Sequence, residues 1–251
     1  MALRLPLRPM RPALAGEMTL VGHLTELRRR VLVSVLAVAI GGIVAFALYQ
    51  SILSFFVAPY CHIVPPGQRC ALYVTGPLDG ISIRFRIAAW GGAVLALPVL
   101  LWQLWRFITP GLHRHEKRYA VPFVGASLVF FSLGGAIAWV TFPHALRWLS
   151  SIGGPTLQSI YDPSAYLRLI VLLIVVFGVA FEFPVLLVAL QAAAVVRPAT
   201  LAARRRWAIV AVFAFAAIAT PSSDPFSMLV LAVPLCLFYE LGILVGRVLR
   251  R

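Results

Sequence analysis

The chain is poor in charge and poorest in acid: of its 251 residues 12% are charged, with 8 Asp or Glu against 22 Lys or Arg. An ordinary soluble domain carries about twice that charged fraction, so a conventional water-facing surface is excluded. No HExxH, nucleophile elbow or P-loop is present, and the five histidines, His23, His62, His113, His115 and His144, are scattered. An enzyme reading therefore has no residues to stand on, and no cofactor is expected. Three cysteines without a CxxC spacing point away from a metal site. Strict apolar–polar alternation is missing as well, and the apolar runs are too long for barrel strands.

What the chain does have is hydrophobic length, with 61% of its residues apolar. Runs of about 18 or more apolar residues suffice to cross a hydrocarbon core of about 30 Å, and inside lipid their backbone groups are satisfied by helices. The expected fold is all-α and polytopic, with six transmembrane helices near residues 30–50, 80–106, 119–142, 165–190, 206–220 and 226–246. The last two are short, the fifth especially, which implies a thinned bilayer or ends shielded by packing.

The formal charge of +14 would suggest nucleic acid in a soluble protein. Here the bases cluster between apolar runs without an aromatic–basic stripe, and they read as topology signals under the positive-inside rule. Arg28–Arg30, Arg114, Lys117, Arg118, Arg197, Arg204–Arg206, Arg247, Arg250 and Arg251 all fall on one side if both termini are cytoplasmic. The expected orientation is N-in, C-in, with no nucleic-acid partner. Residues 1–17 alternate Arg and Pro with small apolar residues and read as a disordered basic cytoplasmic tail. A single six-span domain would occupy 18–251, and Met18 is an alternative start.

Two outside segments have their own character. Residues 51–79 open with Ile52, Leu53, Phe55 and Phe56 and continue through several prolines, which suggests a short interfacial helix and a rigid cap. Cys61 and Cys70 share this segment; outside the cytoplasm they are either a disulfide or two free thiols. From Pro143 to Pro163, the helical spacing of Ala145, Leu146, Trp148, Leu149 and Ile152 predicts a stretch lying in the outer interface.

Acids are so few that each one is informative. Glu182 lies inside the apolar run from Leu167 to Leu190, where a carboxylate costs roughly 2.5–3.5 kcal/mol on insertion scales. It requires a neighbouring span to hydrogen-bond with, or a partly wet cavity. Before the first span, Leu20, His23, Leu24, Leu27 and Val31 recur at helical spacing around Glu26, an amphipathic helix in which Glu26 also stands i,i+4 to Arg30. In the second cytoplasmic stretch Trp102 and Trp105 stand at belt depth, Pro110-Gly111 ends the helix, and Glu116 follows Phe107 across a basic segment. A ligand bearing arginines would find Glu116 and Glu26 among very few carboxylates on that face; a local salt bridge is the alternative for each. Asp224, before Pro225, suits a helix N-cap, and Glu240 stands near a cytoplasmic span end, in reach of Arg247 or headgroups.

Taken in order, HLTELRRR, LPVLLWQLWRFITPGLHRHEKR, FGVAFEFPVLL and ATPSSDPFSMLVLAVPLCLFYE resemble the TatC family, the multi-spanning core subunits of the twin-arginine protein translocase, over residues 18–247. The resemblance implies recognition of twin-arginine signal peptides of folded cargo on the cytoplasmic face. It further implies assembly with single-span TatA-type and TatB-type subunits, self-association within that complex, and transport driven by the proton-motive force across the bacterial cell membrane. The family's signal-contact residues fall on Phe107 and Glu116, supported by Leu24, Glu26 and Arg28; its intramembrane acid falls on Glu182 and its last outside-loop acid on Asp224. The chain departs from the family at Thr220-Pro221-Ser222-Ser223-Asp224, one residue longer than the usual TPPD, and at Met228 in place of Gln. The competing class is a small proton-coupled secondary transporter using Glu182, against which stands the lack of an inverted repeat or of matching broken spans.

Overall fold

The computed structural model describes residues 20–61, 63–64, 70, 72–74, 76–108, 120–152, 154, 161–192, 195–221 and 224–249. The expected tail at 1–17 lies outside them. Among the described residues the regular structure is helical, as the continuous apolar runs require: α1 (Leu20–Ala47), α2 (Tyr49–Cys61), α3 (Asp79–Leu95), α4 (Leu97–Ile108), α5 (Ala120–Ile152), α6 (Pro163–Phe181), α7 (Phe183–Ala192), α8 (Pro198–Ala203), α9 (Arg205–Ala219) and α10 (Pro225–Leu249).

The protein is an all-α polytopic membrane protein. Residues 24–47, 121–152, 163–192 and 225–248 are each long and apolar enough to cross, and α3 with α4 forms a fifth line bent by 51°. Pro98 stands at that bend and has no N–H to continue the ladder; the expectation of one span over 80–106 overlooked it. The sixth line is α9, whose 15 residues rise only about 22 Å. α10 runs 25 residues, so the shortness expected of the last two spans is confined to α9.

Close helix approach is decided by small residues, because lipid tails are as apolar as the helices and association rests on packing. α1 meets α3 where Gly41 and Gly42 face Gly92, and a Cβ on Gly92 would fall 2.5 Å from the Gly42 nitrogen. α5 meets α6 the same way, with a Cβ on Gly134 reaching the backbone of Phe177. The core beneath gathers Ile87, Phe142, Ile170, Phe177, Phe181 and Leu231 from α3, α5, α6 and α10. Large apolar side chains such as Ile43, Val129 and Ile218 remain on the outside, as suits a surface solvated by hydrocarbon.

The outer side differs from expectation in one respect. α5 does not stop before Pro143 to begin a separate interfacial stretch; it continues unbroken to Ile152. Its 33 residues span about 50 Å, and Ala145 and Leu146 are fully buried rather than interfacial. Packing outweighs the single donor lost at Pro143: Phe55 of α2 stacks on Trp139 at 5.5 Å, and Tyr166 of α6 donates to the Phe56 carbonyl at 2.8 Å. Cys61 and Cys70 form a disulfide that ties the end of α2 to the following segment, with Cα atoms 5.3 Å apart.

Candidate functional site

Two places hold the acids of interest, one at the end of α1 and α4 on the side expected to be cytoplasmic, and one inside the bundle. At the first, Glu26 is claimed by its own helix, because an i,i+4 pair on one face brings it to Arg30. Arg30 Nε donates to Glu26 Oε1 at 3.1 Å, and Arg30 Nη1 reaches across to the Gln103 carbonyl at 3.3 Å. α1 is thereby clipped to α4. Glu26, Arg29, Arg30, Val33, Gln103 and Arg106 line a cleft of about 180 Å³ at this junction. Leu24 is 62% exposed beside it, and Arg28 is exposed too.

Phe107 is placed by the last turn of α4, which ends at Ile108. Glu116 lies outside the described residues. The structure thus brings the Glu26–Arg30 segment against α4, the helix that carries Phe107.

Inside the bundle, Glu182 stands at the break between α6 and α7. Pro184 cannot donate back along the helix, and the ladder resumes with Leu186 N–H bonding to the Glu182 carbonyl at 3.0 Å. The Glu182 side chain is half-buried, and its Oε1 is buried with no hydrogen-bond partner among the described residues. A cavity of about 350 Å³ lies between Val179, Phe183 and Leu186 on one wall and Ala208, Ala211 and Phe215 on the other, and its lining side chains are apolar.

Trp105 and Ser127 were not read as site residues. Trp105 was placed in the interfacial belt, yet it is 3% exposed and donates through Nε1 to Ser127 Oγ at 2.8 Å. A serine in an apolar run carries little signal; only the facing helix shows that Ser127 is used. Gln191 is a second missed buried polar group, donating to the Gly242 carbonyl at 3.0 Å. Glu240 pairs with Arg205 at 3.0 Å, across α9 and α10, rather than with Arg247. At the far end, Asp224 is fully buried and accepts the Ser227 N–H at 2.6 Å, an N-cap for α10 with Pro225 in the first turn.

A family model described as Sec-independent protein translocase protein (TatC) matches residues 22–234. The chain belongs to the TatC family. It is 42% identical over 241 residues to the Sec-independent protein translocase protein TatC of Frankia casuarinae, covering 92% of this chain and 66% of that one. It is 36% identical over 237 residues to the TatC of Aquifex aeolicus, covering 93% and 97% of the two chains. A crystal structure described as the twin arginine translocase receptor TatC superposes with a TM-score of 0.73 at 35% identity, covering 91% of this chain and all of that one. As a TatC-family member the protein is a translocase component of the membrane and not an enzyme, and the reading as a small proton-coupled transporter finds no support.

Proposed function

We propose that this protein is the receptor subunit of a twin-arginine export system in the bacterial cell membrane, oriented with both termini in the cytoplasm. A single six-span domain over 18–251, with residues 1–17 as a basic tail, carries the function. Signal peptides of folded cargo dock at the end of α1 and α4, where Phe107 supplies apolar contact, Glu116 receives an arginine, and Leu24, Glu26 and Arg28 complete the surface. Single-span TatA-type and TatB-type subunits, and further copies of this chain, assemble around it, and the proton-motive force drives passage. Asp224 contributes by fixing the outer turn that such partners would meet.

The observation that carries this reading is the Arg30–Gln103 contact, which supports the Glu26 segment and the Phe107 helix acting as one surface. An otherwise basic face then offers a diarginine ligand a small number of carboxylates, where charge-assisted hydrogen bonds are strongest. Photo-crosslinkers placed at Leu24 and at Leu112 in membrane vesicles should capture a twin-arginine signal peptide and lose it when the arginine pair is changed to lysines. Equal capture of both peptides would refute arginine recognition at this surface.

A further inference from the structure

α9 packs chiefly on α10 and leaves a gap toward α6 and α7, and that gap is the apolar cavity between Val179, Phe183 and Leu186 on one wall and Ala208, Ala211 and Phe215 on the other. Every lining side chain is hydrocarbon, so none can hydrogen-bond an occupant. Ala208 and Phe215 are about 10 Å apart along their helix, a length that fits within the half of a core of about 30 Å that belongs to one leaflet. At one end the apolar stripe runs into charge. Arg204, Ala208, Ala211 and Phe215 follow one another at helical spacing, and the Arg204 carbonyl accepts the Ala208 N–H at 3.0 Å, so the turn is intact there. Helical side chains lean toward the N-terminus, which carries the position of the Arg204 charge away from the groove and toward the membrane surface.

We propose that this groove binds an anionic phospholipid, with one acyl chain lying between α9 and the α6–α7 wall and the phosphate meeting Arg204. Charge complementarity selects the headgroup. Arg204–Arg206 are three consecutive exposed bases, and Glu240 answers Arg205 at 3.0 Å while Arg204 has no acidic partner among the described residues. Trp207, the next residue, is 67% exposed and of the type that settles at headgroup level. A span of 15 residues also draws the bilayer surface in toward its ends. Arg204 therefore stands where phosphates are, and the hydrocarbon begins at Ala208. The arginine fork suits a phosphate in two parallel hydrogen bonds, and a zwitterionic lipid brings a competing cation to the same place. A partner's transmembrane helix would seek contact through the whole bilayer rather than one leaflet, and an apolar one would leave Arg204 unanswered. The lipid braces α9 on the side where the protein itself leaves it unsupported.

The test uses the full-length protein in phosphatidylcholine vesicles carrying a trace of either phosphatidylglycerol or phosphatidylcholine with a diazirine in its acyl chain, the labelled residues being mapped by mass spectrometry. The phosphatidylglycerol probe should label Val179, Phe183 and Phe215 about fivefold more than the phosphatidylcholine probe does, the scale of one arginine near an anionic surface. Exposed residues elsewhere, such as Ile43 and Val129, should take up both probes equally. Arg204→Gln should abolish the preference, whereas Arg206→Gln, which removes the same charge two residues off the stripe, should keep it. Ala211→Leu fills the groove and should remove labelling there by both probes, with Ile43 still labelled as evidence of an inserted protein. Equal labelling of the wild-type groove by the two probes, or a preference that survives Arg204→Gln, overturns the proposal. So does a crosslink from Phe215→Cys to another protein's transmembrane helix in native membranes if that partner, added to the vesicles, displaces the lipid label.

Discussion

Arg30 joins the first and fourth helices: its Nη1 donates to the Gln103 carbonyl at 3.3 Å while the rest of the guanidinium holds Glu26. The planar fork of arginine makes this double use natural. It also means that Glu26 meets an incoming arginine already partnered, so its contribution to binding is the difference between two pairings. Glu26→Gln should weaken signal-peptide crosslinking by less than about tenfold, since a partly exposed pair exchanges for another of about 0–1 kcal/mol. A loss as large as that from Glu116→Ala would show that Arg30 does not compete.

Glu116 should matter more. Losing a charge-assisted pair costs about 1.5–3 kcal/mol, roughly ten- to a hundredfold in affinity. Glu116→Ala should lose crosslinking by that factor at low salt, where charge pairing is least screened, with the protein still inserted and stable. Phe107→Ala should act similarly by removing apolar contact. Wild-type binding by Glu116→Ala would move the arginine site elsewhere on this surface.

Glu182→Gln keeps the size of the side chain and its capacity for hydrogen bonding, but removes the ionisable group. Insertion and signal binding are expected to be intact, with export impaired. Unchanged export in both Glu182→Gln and Glu182→Ala, followed by protease protection of cargo in vesicles, would assign the residue a structural role only.

Gly92→Ala should disrupt the first helix pair, because the added methyl would sit 2.5 Å from the Gly42 nitrogen, a backbone atom that cannot rotate away. The folded yield and the melting temperature in detergent should both fall. Gly125→Ala meets nothing within 4 Å and should be neutral or slightly stabilising, given alanine's higher helix propensity. Equal behaviour of the two variants would mean that the α1–α3 contact is not close.

The Cys61–Cys70 link closes a loop with a sequence separation of 9, for which the chain-entropy model gives about 2–3 kcal/mol. Replacing both cysteines by alanine should lower the melting temperature of the purified protein, and adding reductant to the wild type should reproduce that decrease. No change under either treatment would place the strength of this cap in the Tyr166, Phe55 and Trp139 contacts instead.

The sequence by itself determined the helical, membrane-spanning class, because continuous apolar runs leave the backbone no other way to satisfy its hydrogen bonds in lipid. It also singled out Glu26, Glu182 and Asp224, because a carboxylate is conspicuous in a chain with so few. Other features depended on packing and could not be read from local pattern. The α3–α4 bend was written in Pro98, but only the neighbouring helices set its angle. The continuation of α5 past Pro143 required Ala145 and Leu146 to be buried at a distance in sequence from the helices that cover them. Most of all, Trp105 and Ser127 were unremarkable where they stood, an interfacial aromatic and a lone hydroxyl. Their pairing is across 22 residues and two helices, and hydrogen-bond partners at such separations are chosen by how helices pack, which the period of a single helix does not encode.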